Sequence, residues 1–86
     1  MDRFTVVWTD EALEELSRIW IATAERASIA EAVQRIDHVL MHRATDVGLE
    51  FYADRLLVIP PLAVVFSVSD ADLLVRVSAV WGKVES

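Results

Sequence analysis

Arg55-Leu56-Leu57-Val58-Ile59-Pro60-Pro61-Leu62-Ala63-Val64-Val65-Phe66-Ser67-Val68, then Ser69-Asp70-Ala71-Asp72, then Leu73 to Trp81, is the stretch that decides the fold. Three runs rich in Val, Leu and Ile are separated by Pro-Pro and by Ser-Asp-Ala-Asp. β-Branched and aromatic side chains fit a pleated surface, and Pro and Asp fit the turns between strands. The pattern predicts an antiparallel meander of three strands. With Pro60 and Pro61 as a two-residue connection, Ile59 faces Leu62 and Leu57 faces Val64. With Asp70 and Ala71 at the second tip, Ser69 faces Asp72, Phe66 faces Val75 and Val64 faces Val77. Side chains alternate with period two. One face therefore collects Leu57, Ile59, Leu62, Val64, Phe66, Val68, Leu73, Val75, Val77, Ala79 and Trp81. That face is wholly apolar and needs a cover.

The first half of the chain supplies one. Phe4-Thr5-Val6-Val7-Trp8 reads as a short strand with Phe4, Val6 and Trp8 on one side. Thr9 suits a helix N-cap, and Asp10, Glu11, Glu14 and Glu15 place negative charge where a helix N-terminus favours it. Ala12, Leu13, Leu16, Ile19, Trp20 and Ala24 recur at helical spacing, which predicts an amphipathic helix over about 10–26. Ser28-Ile29-Ala30-Glu31 has the form of a capping box. The helix behind it, over about 29–43, carries Ile29, Ala32, Val33, Ile36, Val39 and Leu40 on one side. The two helices make a hairpin near Ala27 whose apolar stripes lie across the meander. Residues 44–54 read as an irregular link, with Gly48 as its turn and Leu49, Phe51 and Tyr52 as anchors. The expected fold is α+β, a single domain over 1–86.

Composition narrows the function classes. Hydrophobic residues make up 55% of the 86, with two Gly and two Pro, which excludes a disordered chain. With no Cys there is neither a disulfide scaffold nor a thiolate metal site. The start, Met1-Asp2-Arg3-Phe4, has no basic apolar signal pattern, and no apolar run approaches the ~20 residues of a membrane span. A cytoplasmic protein without membrane contact is the expectation. The formal charge is −6, with eight acids and five bases in residues 1–43 and six and three in residues 44–86. No basic half is hidden in that average, which argues against direct nucleic-acid binding. His38 and His42 have the i, i+4 spacing of two ligands on one helix. No third ligand accompanies them, so they are assigned as exposed helix residues, and neither a metal nor another cofactor is expected.

The order strand, helical hairpin, three-strand meander resembles that of the RelE/ParE toxin superfamily of bacterial type II toxin–antitoxin, or plasmid-stabilisation, modules. Val7-Trp8-Thr9-Asp10-Glu11-Ala12-Leu13 resembles the family's opening, in which a Trp-Thr-Pro strand end leads into Glu-Ala-Leu. Arg55-Leu56-Leu57-Val58 followed by Pro61 resembles its Arg-x-Leu-x-Val-x-Pro. Ala79-Val80-Trp81-Gly82-Lys83 resembles its closing Val-Leu-His-Gly-Arg. The resemblance implies a toxin-like role with two possible mechanisms. RelE-like members cut messenger RNA on the ribosome with several basic residues and a late Tyr or His. ParE-like members lack that set and are described as inhibitors of DNA gyrase, which makes gyrase a candidate target. In both, an antitoxin wraps the toxin.

RNA cleavage through the adjacent hydroxyl needs a base, an acid and cations for the phosphate. Where family members write Pro-Tyr-Arg-Val-x-Tyr-Arg-Val, this chain has Pro61-Leu62-Ala63-Val64-Val65-Phe66-Ser67-Val68. The late His position holds Trp81, which does not titrate. Arg55, Arg76 and Lys83 remain as cations, with Glu50 and His42 as weak acid–base candidates. Arg76 suits an ion pair, with Asp54 or with a partner's carboxylate, better than a phosphate clamp. The open sheet face is expected to carry Leu56, Val58, Ala63, Val65, Leu74, Arg76 and Val80, a partner-binding surface for an antitoxin segment or a second copy. The leading reading is a toxin-like domain acting by protein–protein binding. A RelE-type endoribonuclease and an unrelated α+β dimerisation module are the alternatives.

Overall fold

The computed structural model describes residues 3–83. Met1 and Asp2, part of the start examined for a signal pattern, and residues 84–86 lie outside the described residues. The order is β1 (Thr5–Trp8), α1 (Asp10–Ala22), α2 (Arg26–Arg43), β2 (Leu49–Phe51), β3 (Asp54–Ile59), β4 (Leu62–Ser69) and β5 (Leu74–Trp81). The sheet runs β1-β5-β4-β3-β2, with β1 parallel to β5 and every other pair antiparallel. Both helices contribute buried residues to one core with the sheet. No helix among the described residues is long and apolar enough to cross a membrane.

β4 lies in the middle, and Leu62, Ala63, Val64, Val65 and Phe66 are all buried. An uninterrupted apolar run is what a strand covered on both faces requires. The first hairpin has the expected register, with Ile59 opposite Leu62 and Leu57 opposite Val64 around Pro60-Pro61.

The second hairpin differs. Ser69 pairs with Leu74 and Val68 with Val75, so the loop takes four residues, 70–73, instead of two. Leu73 extends the apolar run in the sequence but sits at φ 49°, in the left-handed region that ends a turn. Its N–H donates to the Asp70 carbonyl, and its own carbonyl accepts from Thr5 N–H on β1. The Ser69 hydroxyl donates to Asp72 Oδ2 at 3.2 Å, closing the loop. The shift is two residues, so Val75 and Val77 keep their place in the core, now opposite Val68 and Phe66.

A bulge then reverses the end of β5. Phe66 pairs with Val77 and Val65 with Ala79, which leaves Ser78 as the extra residue. Its hydroxyl is 3.4 Å from the Val65 carbonyl. Beyond it Val80 enters the core while Trp81 is exposed. The expected assignment of Val80 to the open face, and of Ala79 and Trp81 to the core, is corrected.

Three further boundaries move. α1 ends at Ala22, with Thr23 extended and its hydroxyl accepting from Glu25 N–H at 3.0 Å. α2 consequently starts at Arg26, ahead of Ser28, so the Ser28–Glu31 capping box does not form and Glu25 is an N-cap without a side-chain bond. Leu49–Phe51, expected as part of an irregular link, forms a fifth strand on the edge. The Thr9 cap is as expected, its hydroxyl accepting from Ala12 N–H at 3.2 Å.

Packing follows from these ends. α1 lies on β5 through Ala12, Leu16 and Ile19, and a Cβ on Gly82 would stand 3.0 Å from the Ile19 side chain, which would have to give way by a few tenths of an ångström. α2 buries Ile29, Ala32, Ile36 and Leu40. β1 is tied to it by Trp8 Nε1 donating to Asp37 Oδ1 at 2.8 Å and Phe4 N–H donating to the Met41 carbonyl. The bulge makes a testable distinction. Val80→Asp should remove cooperative melting, since an unpaired buried charge costs several kcal/mol. Trp81→Asp should retain a cooperative transition. Circular-dichroism melts of both variants decide it, and the reverse pattern, loss in Trp81→Asp with a cooperative transition kept in Val80→Asp, would restore an unbulged strand.

Candidate partner-binding face

The sheet side away from the helices is assembled from β2 to β1 in cross-strand rows. Leu49, Leu56, Val65 and Ala79 form one row, and Val58, Ala63 and Trp81 another. Ser67, Arg76 and Val7 form a third toward the opposite end. Leu74 stands on the same side, since it alternates with the buried Val75. Leu49, Val58, Trp81 and Val7 are exposed along this face.

Two residues at its centre are not exposed. Ala63 and Val65 retain 4% and 5% of their surface, although neither belongs to the core under the helices. Their cover is aromatic. The rings of Phe51 on β2 and Trp81 on β5 stand edge to face with centroids 6.0 Å apart. β3 and β4 separate those strands, so the rings meet by reaching across the open face over the middle of the sheet. Tyr52 adds a second edge contact to Phe51, with centroids at 5.0 Å. The open face is thus an aromatic arch with exposed aliphatic groups around it. Phe51, Trp81 and Leu49 were absent from the expected set. The alternation Leu49-Glu50-Phe51 was the available signal for the first and last of them.

The candidate catalytic residues are dispersed. Arg55 lies opposite Glu50 and Phe66, on the helix side of the sheet edge, and its Nη1 donates to the carbonyls of Thr45 and Val47 at 3.0 and 3.2 Å. It holds the loop in which Gly48, at φ 89°, lies so close to the Phe66 ring that a Cβ would be 3.1 Å from it. This gives Arg55 a structural task. Glu50 is exposed beside it and lines a polar dent of about 450 Å³ with Tyr52, Asp54, Ser67 and Asp70. Arg76 is exposed on the opposite, open face, and Ser67 stands between it and β3, which carries Asp54. Lys83 lies seven residues further along, two beyond the end of β5. It borders a groove of about 620 Å³ with Arg18, Ile19, Ile29, Pro61 and Gly82. His42 is exposed on the last turn of α2, its ring centroid 4.6 Å from that of His38. These five do not converge on one point. No group of three or more His, Cys, Asp or Glu positioned for a metal occurs among the described residues.

No family model matches the sequence, and no curated protein does. Solved structures do match. A chain of the RelBE2 toxin–antitoxin complex from Mycobacterium tuberculosis superposes with a TM-score of 0.78 at 17% identity, over 99% of this chain and 97% of that one. The chromosomal ParDE system of P. aeruginosa gives 0.64 at 20% identity, over 95% and 97%. The E. coli RelBE complex gives 0.56 at 16%, over 96% and 99%. This chain has the RelE/ParE toxin fold. Each superposition runs over at least 95% of both chains.

The arch is accessible to a double-mutant cycle. An edge-to-face pair contributes about 0.5–1.5 kcal/mol beyond its buried area. Phe51→Ala, Trp81→Ala and the double variant, unfolded in urea, should show a coupling energy in that range. Strict additivity would mean that the rings do not meet in solution.

Proposed function

We propose that this chain is the toxin-like component of a type II toxin–antitoxin module, acting by protein–protein binding in the cytoplasm rather than by cutting RNA. An antitoxin segment is its cognate partner, laid across the open sheet face. The observation that carries the reading is the fold shared with RelBE and ParDE complexes, joined to a face built of aromatic and aliphatic side chains. Apolar groups around a formed arch offer a partner chain area to bury without first unfolding anything.

The scatter of the cations supports binding over cleavage. Phosphoryl chemistry at RNA needs an acid, a base and cations within reach of one phosphate. Arg55 is engaged with the Thr45 and Val47 carbonyls on one side of the sheet, Arg76 is on the other, and Lys83 lies beyond the end of β5. Ala63, Ser67 and Trp81 stand where the family's ribonucleases resemble Arg, Arg and a titratable residue. The ParE-like branch then makes DNA gyrase the target to examine, and plasmid or chromosomal stabilisation the context.

The test has two arms. Induced expression with mapping of transcript ends should show no codon-phased cuts. Codon-phased cuts that vanish in Arg76→Ala would decide for the endoribonuclease. Co-expression with an antitoxin encoded by an adjoining small reading frame, where the gene has one, should give a complex that Val58→Glu weakens at least tenfold, because Val58 is exposed on this face. A complex indifferent to Val58→Glu and to Trp81→Glu would move the partner elsewhere.

A further inference from the structure

The helix layer carries a second apolar surface that the core does not use. On α1, Ala12 is fully buried and Leu16 and Ile19 pack on the core. Leu13, Trp20 and Ile21 keep 47%, 39% and 74% of their surface exposed. Together with Ser17 they occupy positions i, i+4, i+7 and i+8, one stripe along the outside of the helix. Leu16, Ser17, Trp20 and Ile21 line a dent of about 360 Å³ in that stripe, and Ile21 projects beside it. A knob and a hollow on the same stripe are the ingredients of a self-complementary contact.

The charges are arranged end to end. Asp10, Glu11, Glu14 and Glu15 all lie in the first half of α1. Arg18 follows in the second half, and Glu25 and Arg26 lie beyond its end, so this end is net positive by one charge; the Arg26 guanidinium is 5.7 Å from the Trp20 ring centroid and its Nε donates to the Trp20 carbonyl. A partner of one sign would be attracted at one end of the stripe and repelled at the other. A second copy laid antiparallel meets acid with base at both ends, whereas a parallel copy stacks acid on acid.

We propose that two copies of this chain associate through α1, antiparallel about a two-fold axis beside Ser17. At a rise of 1.5 Å per residue, that axis sets Leu13 level with Trp20 and Ile21 of the second copy. Glu14 comes within about 3 Å along the helix of Arg18 of the second copy. The small Ser17 side chain at the axis lets the helices approach. The three exposed side chains offer on the order of 300 Å² per copy, the lower end of the largest apolar patch on a typical monomer. Two copies thus bring about 600 Å² of apolar surface, half of the ~1,200 Å² of a small stable interface, and the flanking Glu14, Ser17 and Arg18 contribute to the remainder. The association is therefore weak, concentration-dependent and salt-sensitive. It does not rest on the toxin reading, because it uses the layer opposite the open face.

Sedimentation equilibrium of the full chain at low salt tests it. The wild type should form a dimer with a micromolar dissociation constant. Ile21→Glu should weaken it at least tenfold with an unchanged melting temperature, since that side chain is exposed. Glu14→Arg should weaken it as well, and Glu14→Arg combined with Arg18→Glu should restore it, which a merely hydrophobic contact would not show. Val58→Glu, on the other face, should leave the dimer intact. A wild type that stays monomeric at millimolar concentration overturns the proposal. So does a dimer lost in Val58→Glu but kept in Ile21→Glu, or a stripe that binds only the neighbouring gene's product.

Discussion

A strand in the middle of a sheet has two faces to keep from water, and β4 carries apolar side chains on both. Leu62, Val64 and Phe66 face the helices, and burying each stabilises the fold by about 2 kcal/mol. That need fixes where the helices lie and how closely they approach, with Gly82 yielding to Ile19 and Gly48 to Phe66. Ala63 and Val65 face the other way, where no helix exists. The arch of Phe51 and Trp81 meets that second need. It depends on both edges of the meander: β2 must pair with β3 to bring Phe51 in, and β5 must turn Trp81 outward.

The outward turn of Trp81 follows from one residue. Without the bulge at Ser78, strict alternation from Val75 would bury Ala79 and Trp81 and expose Val80. Trp81 would then compete with Ile19 and Phe66 for a core already filled, and Ala63 would face water. With it, Val80 closes the core and its N–H donates to Glu15 Oε1 at 3.2 Å, joining the end of β5 to α1. A bulge thus divides the aromatic and aliphatic material of one strand between two layers. The open face and the core are set by the same local event.

Sequence patterning revealed those parts of this arrangement that rest on local chemistry. Pro60-Pro61 leaves no other place for the first turn, and its register followed from period two. Thr9 caps α1 because a hydroxyl at the end of a strand, ahead of acidic residues, has one good acceptor role. The second turn was misread because Leu73 carries the composition of a strand and the φ of a turn. The Ser28–Glu31 pattern is a valid capping box that lost to an earlier start, since the Thr23 hydroxyl already turns the chain by binding Glu25 N–H. The bulge left no mark in composition, because Val75 and Val77 fix the phase only as far as Ser78, and Ala79, Val80 and Trp81 beyond it are apolar in either phase. The site residues divide the same way. Leu56, Val58, Ala63, Val65 and Leu74 followed from alternation before the bulge, while Val80 and Trp81, beyond it, exchanged places.

The two apolar surfaces that remain outside the core lie in opposite layers, on the far side of the sheet and on the far side of α1. One does not cover the other, and occupation of either leaves the second free. Their electrostatic surroundings also differ. The open face mixes Arg76 with Asp54 around an aromatic centre, whereas the α1 stripe separates its signs along one axis. In a chain of net charge −6, random self-contact is repulsive on average. Apolar area alone would not choose among orientations, because the hydrophobic effect is non-directional. The separation of acid and base along α1 supplies the direction, admitting an antiparallel copy and rejecting a parallel one. Area gives such a contact its free energy, and charge selects its geometry.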